Sequence, residues 1–207
     1  MPTLIIYLDF IGVAVFAVSG ALVASRKEMD FIGFSLMASL TGIGGGTLRD
    51  LLLDRPVFWL QTPSYLAVCI LVAVGVFFTA HVLQRRFTVV LWADAVGIGA
   101  YAVMGADVAL RAGVNELVAI VMGVMTATFG GLLRDVTCNE TPLILRREVY
   151  ATCAMLGATV YIGLQIIDVP VMYAAPAGFA AGFGLRALGI AKGLALPPYK
   201  ARPGRNY

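Results

Sequence analysis

Apolar residues run along this chain in seven long stretches: roughly 4–25, 31–53, 63–83, 88–110, 116–137, 148–167 and 171–191. About 20 predominantly apolar residues are what an α-helix needs to cross a bilayer. In hydrocarbon only elements that satisfy their own backbone hydrogen bonds are tolerated. The pattern therefore predicts an all-α membrane protein with seven transmembrane helices. Short polar segments separate the stretches: Arg26-Lys27-Glu28-Met29-Asp30, Asp54-Arg55-Pro56, Gln84-Arg85-Arg86, Arg111-Ala112-Gly113, the run from Asn139 to Arg147, and Asp168-Val169-Pro170. Leu196-Pro197-Pro198 then opens a tail carrying Lys200, Arg202 and Arg205. The expected organisation is one transmembrane domain over residues 1–195 and a basic tail over 196–207.

Composition agrees with that pattern. Hydrophobic residues make up 60% of the 207 positions and charged residues 13%, with a mean hydropathy of +0.89. Soluble domains carry about 25% charged residues. Met1–Leu4 lacks the basic segment of a cleavable signal, so the first stretch reads as a span. Basic residues concentrate in loops that stay cytoplasmic. With the tail inside, the inner loops hold Arg26, Lys27, Arg85, Arg86, Arg146 and Arg147, and the outer ones only Arg55 and Arg111. The expected orientation has the N-terminus outside and the C-terminus in the cytoplasm of an inner-membrane protein.

A shift of 85 residues lays the chain on itself. Asp9 falls on Asp94, Gly12 on Gly97, Gly20 on Gly105, Arg26 on Arg111 and Thr41 on Thr126; residues 9–50 match 94–135 at 16 of 42 positions. Tyr65 on Tyr150 carries the register into the third span. Apolar composition inflates chance matches, but aligned Asp, Arg and Gly are not explained that way. The spans thus form two three-helix repeats, about 4–83 and 88–167, plus a seventh helix at about 171–191. Three spans is an odd number, so the second repeat must cross the membrane in the opposite sense. Such inverted repeats place a pathway at their interface near the bilayer midplane.

The strongest local signal is Gly44-Gly45-Gly46-Thr47-Leu48-Arg49-Asp50, matched by Gly130-Gly131-Leu132-Leu133-Arg134-Asp135. Each glycine weakens a helix by roughly 1 kcal/mol relative to alanine. A charge at the bilayer centre costs at least about 2.5 kcal/mol. Two readings of the glycines stand: a kink or unwinding that frees carbonyls toward a pathway, or close helix packing. Arg49 and Arg134 each lie about 10 Å beyond the centre of their spans at 1.5 Å per residue, on opposite sides of the membrane. They either line the pathway, paired with Asp50 and Asp135, or snorkel to the headgroups. Asp9 and Asp94 begin their repeats near a helix start. There the backbone dipole favours them, or they orient an arginine as ion-pair partners. Thr41, Thr47 and Thr126 offer hydroxyls near the glycines, although membrane threonines commonly bond their own backbone. Arg186, toward the end of the seventh span, is expected to snorkel.

Other chemistry is not signalled. Cys69, Cys138 and Cys153 are odd in number and lack CxxC spacing, which points to small apolar packing residues. His81 alone makes no metal cluster and reads as an interfacial side chain. There is no GxSxG, HExxH or GxxxxGK[ST] motif, so no enzyme is expected. A formal charge of +3 is too small to suggest nucleic acid as a partner. No cofactor is expected; the candidate ligands are a permeant K+ or Na+ in the pore and membrane lipid.

Two inverted three-span repeats with a seventh span, GGGTLRD in span two and GGLLRD in span five, resemble the prokaryotic branch of the trimeric intracellular cation (TRIC) channels, whose bacterial relatives are also labelled glycine-transporter-like. The resemblance covers about residues 4–191. It implies a homotrimer with a potassium-permeable pore in each protomer, between glycine-kinked second and fifth spans. By position it puts Gly44–Gly46 and Gly130-Gly131 at the kinks, Arg49 and Arg134 as basic pore residues, and Asp50 and Asp135 as their acidic neighbours. Phe129 stands where the first repeat has Gly44, and the Lys-Glu-Val lipid motif of animal members does not occur. The alternative is a secondary transporter of glycine or another small zwitterion, in which an arginine fork would hold a carboxylate.

Overall fold

The computed structural model describes residues 3–82 and 86–197. Arg85 and the tail cations Lys200, Arg202 and Arg205 lie outside the described residues. Eight α-helices follow in order: α1 (Thr3–Arg26), α2 (Phe31–Leu52), the short α3 (Phe58–Gln61), α4 (Ser64–Thr79), α5 (Arg86–Arg111), α6 (Glu116–Thr137), α7 (Ala151–Ile166) and α8 (Val171–Lys192). Among the described residues six helical stretches are long and apolar enough to cross a membrane, with α4 extended to Val82 by a 3₁₀ turn; α7 is a shorter apolar helix. The fold is an all-α membrane protein of seven transmembrane helices in two inverted three-helix repeats plus a seventh. The connection after α2, expected as a plain loop, holds α3.

Helices α1, α2 and α4 pack together as one repeat, and α5, α6 and α7 as the other. The repeats join through α1 on α5 and α2 on α6, while α8 lies against α5 and α7. The 85-residue register extends into the loops. Asp30 caps α2, its side chain accepting from the Gly33 amide, and Asn115 caps α6 by accepting from the Leu117 amide. Such caps satisfy amides that a helix start leaves free. After the second helix of each repeat the chain turns through a left-handed residue, Asp54 in one and Asn139 in the other, both at φ 52°. Asp and Asn are among the few side-chain-bearing residues that tolerate that conformation.

The glycine clusters do not unwind their helices: α2 and α6 run unbroken through Gly44–Gly46 and Gly130-Gly131. A Cβ on Gly45 would lie 2.0 Å from the Thr126 carbonyl oxygen, and a Cβ on Gly130 would lie 2.2 Å from that of Thr41. The two contacts are images of each other under the 85-residue shift. They run in opposite order along the two helices, so α2 crosses α6 antiparallel, backbone on backbone. Only glycine permits that approach, which exchanges side-chain bulk for close van der Waals and Cα–H···O contact. The expected unwinding does not occur, and the glycines form a packing point between the two helices. Thr41 and Thr126 each donate to the carbonyl four residues earlier, Met37 at 2.7 Å and Met122 at 2.6 Å. The three cysteines are buried and free.

Gly45→Val and Gly130→Val are each expected to destabilise the protein by about 2 kcal/mol or more through overpacking. Gly163→Ala, where a Cβ meets nothing within 4 Å, is expected to stabilise it by about 0.5–1 kcal/mol. Unfolding midpoints of the purified protein in detergent check both signs.

Candidate functional site: two arginine–aspartate clusters

The last turns of α2 and α6 present Arg49-Asp50 and Arg134-Asp135 at opposite ends of the molecule. All four side chains are buried, so neither arginine snorkels. A buried guanidinium needs carboxylate partners, because leaving one charge unpaired in an apolar interior costs several kcal/mol. In the first repeat Arg49 Nε donates to Asp50 Oδ1 at 2.8 Å, and Nη2 lies 2.8 Å from the same oxygen. In the second, Arg134 Nε donates to Asp135 Oδ1 at 2.8 Å. The other oxygen of each aspartate accepts a backbone amide of the following segment. The Phe58 amide reaches Asp50 Oδ2 at 2.9 Å, and the Leu143 amide reaches Asp135 Oδ2 at 2.9 Å. These charge-assisted bonds tie each helix end to the segment that folds over it.

The remaining partners differ between the repeats. Around Arg49, Nη1 meets the Met104 sulfur at 3.2 Å and the guanidinium stands 5.7 Å from the centre of the Phe58 ring. Asp9 is not its ion-pair partner; Asp9 Oδ2 accepts from the Tyr65 hydroxyl at 2.8 Å, and among the described residues Asp9 Oδ1 has no hydrogen-bond partner. Between them lies a cavity of about 300 Å³. Its floor is the buried Asp9, Arg49, Asp50 and Tyr65, and its rim the exposed Arg55, Pro56, Gln61 and Thr62. The cavity is thus a vestibule opening beside α3 and ending on charged groups.

Arg134 stands at the opposite end. Its Nη1 reaches Asp94 Oδ1 at 2.7 Å and also donates to the Ser19 hydroxyl, which in turn donates to Asp94 Oδ1 at 2.6 Å. Ser19 of the first repeat and Met104 of the second occupy equivalent positions, each touching the arginine of the other repeat. Asp94 therefore has the orienting ion-pair role, while Asp9 faces the vestibule.

The other expected residues fall away from these clusters. Gly44 and Thr47 line a separate apolar groove of about 450 Å³, together with Leu36, Trp59 and Phe129. The Thr47 hydroxyl donates to the Ile43 carbonyl and accepts from the Trp59 indole at 2.9 Å. Gly46 packs on the Phe58 ring and Gly131 on the Tyr150 hydroxyl. Arg186 does not snorkel. It is fully buried, with Nη1 on the Val149 carbonyl at 3.0 Å, Nη2 on Glu148 Oε2 at 2.9 Å, and its guanidinium 5.3 Å from the Tyr150 ring. The segment before α7 offers it both a carboxylate and a carbonyl, so it has no need to reach water. Two residues escaped the sequence reading. Ser19 carries no motif signal. Asp107, buried between the Tyr161 hydroxyl at 2.5 Å and Arg111 Nε at 2.8 Å, was legible only as a carboxylate four residues before a basic one.

These observations define an inverted-repeat membrane protein with a charged cluster at each end of one crossing helix pair. The model of the family described as "Glycine transporter" matches residues 6–81 and 91–165, one segment on each repeat. The UPF0126 inner membrane protein YadS of Escherichia coli (strain K12) is 35% identical over 202 residues, covering 95% of this chain and 96% of that protein. A UPF0126 membrane protein of Vibrio cholerae is 41% identical over 163 residues, 76% of this chain and 67% of that one. Among solved structures, the TRIC trimeric intracellular cation channel orthologue from Rhodobacter sphaeroides superposes with a TM-score of 0.91 at 53% identity, covering 93% of this chain and all of that one. A prokaryotic TRIC channel in 0.5 M KCl gives a TM-score of 0.88 at 30% identity, over 95% of this chain and all of that one. The chain belongs to this family, the prokaryotic TRIC channels matched by the glycine-transporter model.

Arg134→Ala strands Asp94 and Asp135 in a closed cluster, whereas Arg49→Ala leaves Asp50 beside a vestibule large enough for water. Loss of stability is expected to be about 3–5 kcal/mol for the first and clearly smaller for the second, read as the difference between their unfolding midpoints.

Proposed function

We propose that this protein is a passive monovalent-cation channel, permeable to potassium, with one pathway inside each protomer. The observation that carries the reading is the vestibule: an open cavity that ends on a buried carboxylate, Asp9, with one oxygen unpartnered. The similarity to solved proteins described as TRIC cation channels supports it. A cation enters beside α3, exchanges part of its hydration for the Asp9 oxygens, and passes between α1, α2, α5 and α6. The Arg134–Asp94–Ser19 cluster blocks the far end, so conduction requires that cluster to part. The arginines do not repel the cation while Asp50, Asp135 and Asp94 neutralise them. The working unit is a homotrimer, as for the trimeric relative, set in membrane lipid. The distribution of basic residues puts the vestibule end outside and the Arg134 end at the cytoplasm.

A second reading is favoured by the description of the matching family model and by the vestibule's chemistry. Asp9 and the guanidinium of Arg55 or Arg49 would receive the ammonium and carboxylate of a small zwitterion. Planar bilayers containing the purified protein and potassium chloride alone decide between the two. Discrete unitary currents are expected, reduced several-fold in Asp9→Asn. Saturable glycine uptake into proteoliposomes without unitary currents would replace the channel with a transporter.

A further inference from the structure

The 85-residue shift aligns like with like at the charged clusters, but one step beyond them it aligns opposites: Arg55 falls on Glu140. The two backbones are held alike. The Arg55 amide donates to the Asp50 carbonyl at 2.9 Å and the Glu140 amide to the Asp135 carbonyl at 2.8 Å, each directly after its left-handed residue. The side chains differ in what they meet. Glu140 lies 3.4 Å from Arg26 and 3.6 Å from Lys27, so its charge is neutralised on the spot. Arg55 reaches across to the other repeat, where Nη1 donates to the Val108 carbonyl at 3.4 Å in the last turn of α5. A helix C-terminus favours a cation through the backbone dipole but does not cancel its charge as an acid would. Among the described residues Arg55 forms no ion pair, and Arg111, on the same helix end, is already matched with Asp107 at 2.8 Å. Arg55 is thus an exposed cation with its full charge, fixed on the rim of the 300 Å³ vestibule that has Asp9 in its floor.

We propose that Arg55 is a specificity-determining residue, a charge filter at the vestibule mouth that admits monovalent cations and holds divalent ones back from Asp9. This rests on the channel reading above. Of the charged side chains lining the vestibule, Arg49 and Asp50 cancel each other at 2.8 Å. Asp9 in the floor and Arg55 on the rim are left as the charges without a counterpart. Asp9 by itself would favour the wrong ion. A carboxylate oxygen is the ligand that Mg²⁺ and Ca²⁺ prefer, and any negative potential acts twice on a double charge. A cation on the rim offsets this by the same rule. Narrow clefts with apolar walls focus the field of the charges that line them. A potential that lowers the local concentration of a monovalent ion two-fold therefore lowers that of a divalent ion about four-fold, the square. The filter acts on ions arriving from the vestibule side alone, because the equivalent position at the other end carries Glu140 held between two cations.

The test compares Arg55→Gln and Arg55→Lys in full-length protein in planar bilayers, with magnesium chloride added on the vestibule side as the divalent probe. In dilute potassium chloride, where the screening length is about 30 Å at 0.01 M, Arg55→Gln is expected to raise the unitary current entering from the vestibule side about two-fold. The magnesium concentration that halves that current is expected to fall about four-fold. At 1 M salt, with screening within about 3 Å, both differences are expected to vanish, and Arg55→Lys is expected to behave as the parent protein at either salt. Unchanged magnesium block in Arg55→Gln overturns the proposal. So does a change that persists at 1 M salt or that Arg55→Lys shares, since a side chain that merely packs would give either. A readout independent of conduction separates the filter from the channel reading. Thr62, exposed on the same rim, is replaced by Thr62→Cys, and the three native cysteines are buried. The rate of labelling at position 62 by a trimethylammonium thiosulfonate, divided by that for a sulfonate one, is expected to rise about four-fold in dilute salt when Arg55→Gln is added. A raised ratio without any unitary current supports the charged rim and sinks the channel. Unitary currents with an equal ratio and equal magnesium block sink the filter alone.

Discussion

A guanidinium enclosed by hydrocarbon has to be met by a carboxylate, and much of this molecule follows from meeting that demand three times. Arg49, Arg134 and Arg186 are all buried, and each is held by an acid: Asp50, Asp135 with Asp94, and Glu148. Asp50 and Asp135 neutralise the neighbouring arginine with one oxygen and draw in the Phe58 or Leu143 amide with the other. The segment after each second helix therefore folds back over its own helix end. Glu148 meets Arg186 beside the carbonyl of Val149, which fixes the approach to α7 and places Tyr150 beside the second cluster. The charged groups that are costly in a bilayer are also what shapes the loops at its two faces.

Much of this architecture was legible in the chain because two periodicities are strong. Apolar stretches of membrane length marked the spans, and the 85-residue shift aligned Asp, Arg, Gly and Thr that composition alone would not align. The register carried further than expected, to the caps Asp30 and Asn115 and the left-handed turns at Asp54 and Asn139. The glycines were harder. A glycine run supports both an unwound helix and a helix pressed against a neighbour, and the partner surface that decides between them belongs to the other repeat. Gly45 meets Thr126 and Gly130 meets Thr41, contacts between residues about 80 to 90 apart whose reciprocity appears only after folding.

The site was legible in its residues but not in its pairings. Asp9 and Asp94 occupy equivalent positions, yet one accepts from Tyr65 and the other from Arg134. The difference traces to substitutions that break the repeat, Ser19 against Met104 foremost, and such a mismatch looks like noise in an alignment. Arg186 shows the complementary failure. Its position near a helix end suggested snorkelling, because hydropathy treats an arginine as a solitary cost and takes no account of an acid arriving from a loop 38 residues away.

Placement of the charged clusters relative to the helix crossing bears on which kind of conduction the fold supports. Arg49 lies four residues beyond Gly45, and Arg134 four beyond Gly130, about one helical turn in each case. The crossing itself is backbone packed on backbone and has little freedom to slide, because interiors at this density rearrange in discrete steps. The two charged clusters lie outside that crossing, and a rearrangement of either is a side-chain event. Neither cluster then needs the other to move. A transporter needs the reverse, a rigid coupling in which one gate opens only as its counterpart shuts. Here the shared element between the clusters is the part built to stay still, and that arrangement favours a channel over alternating access.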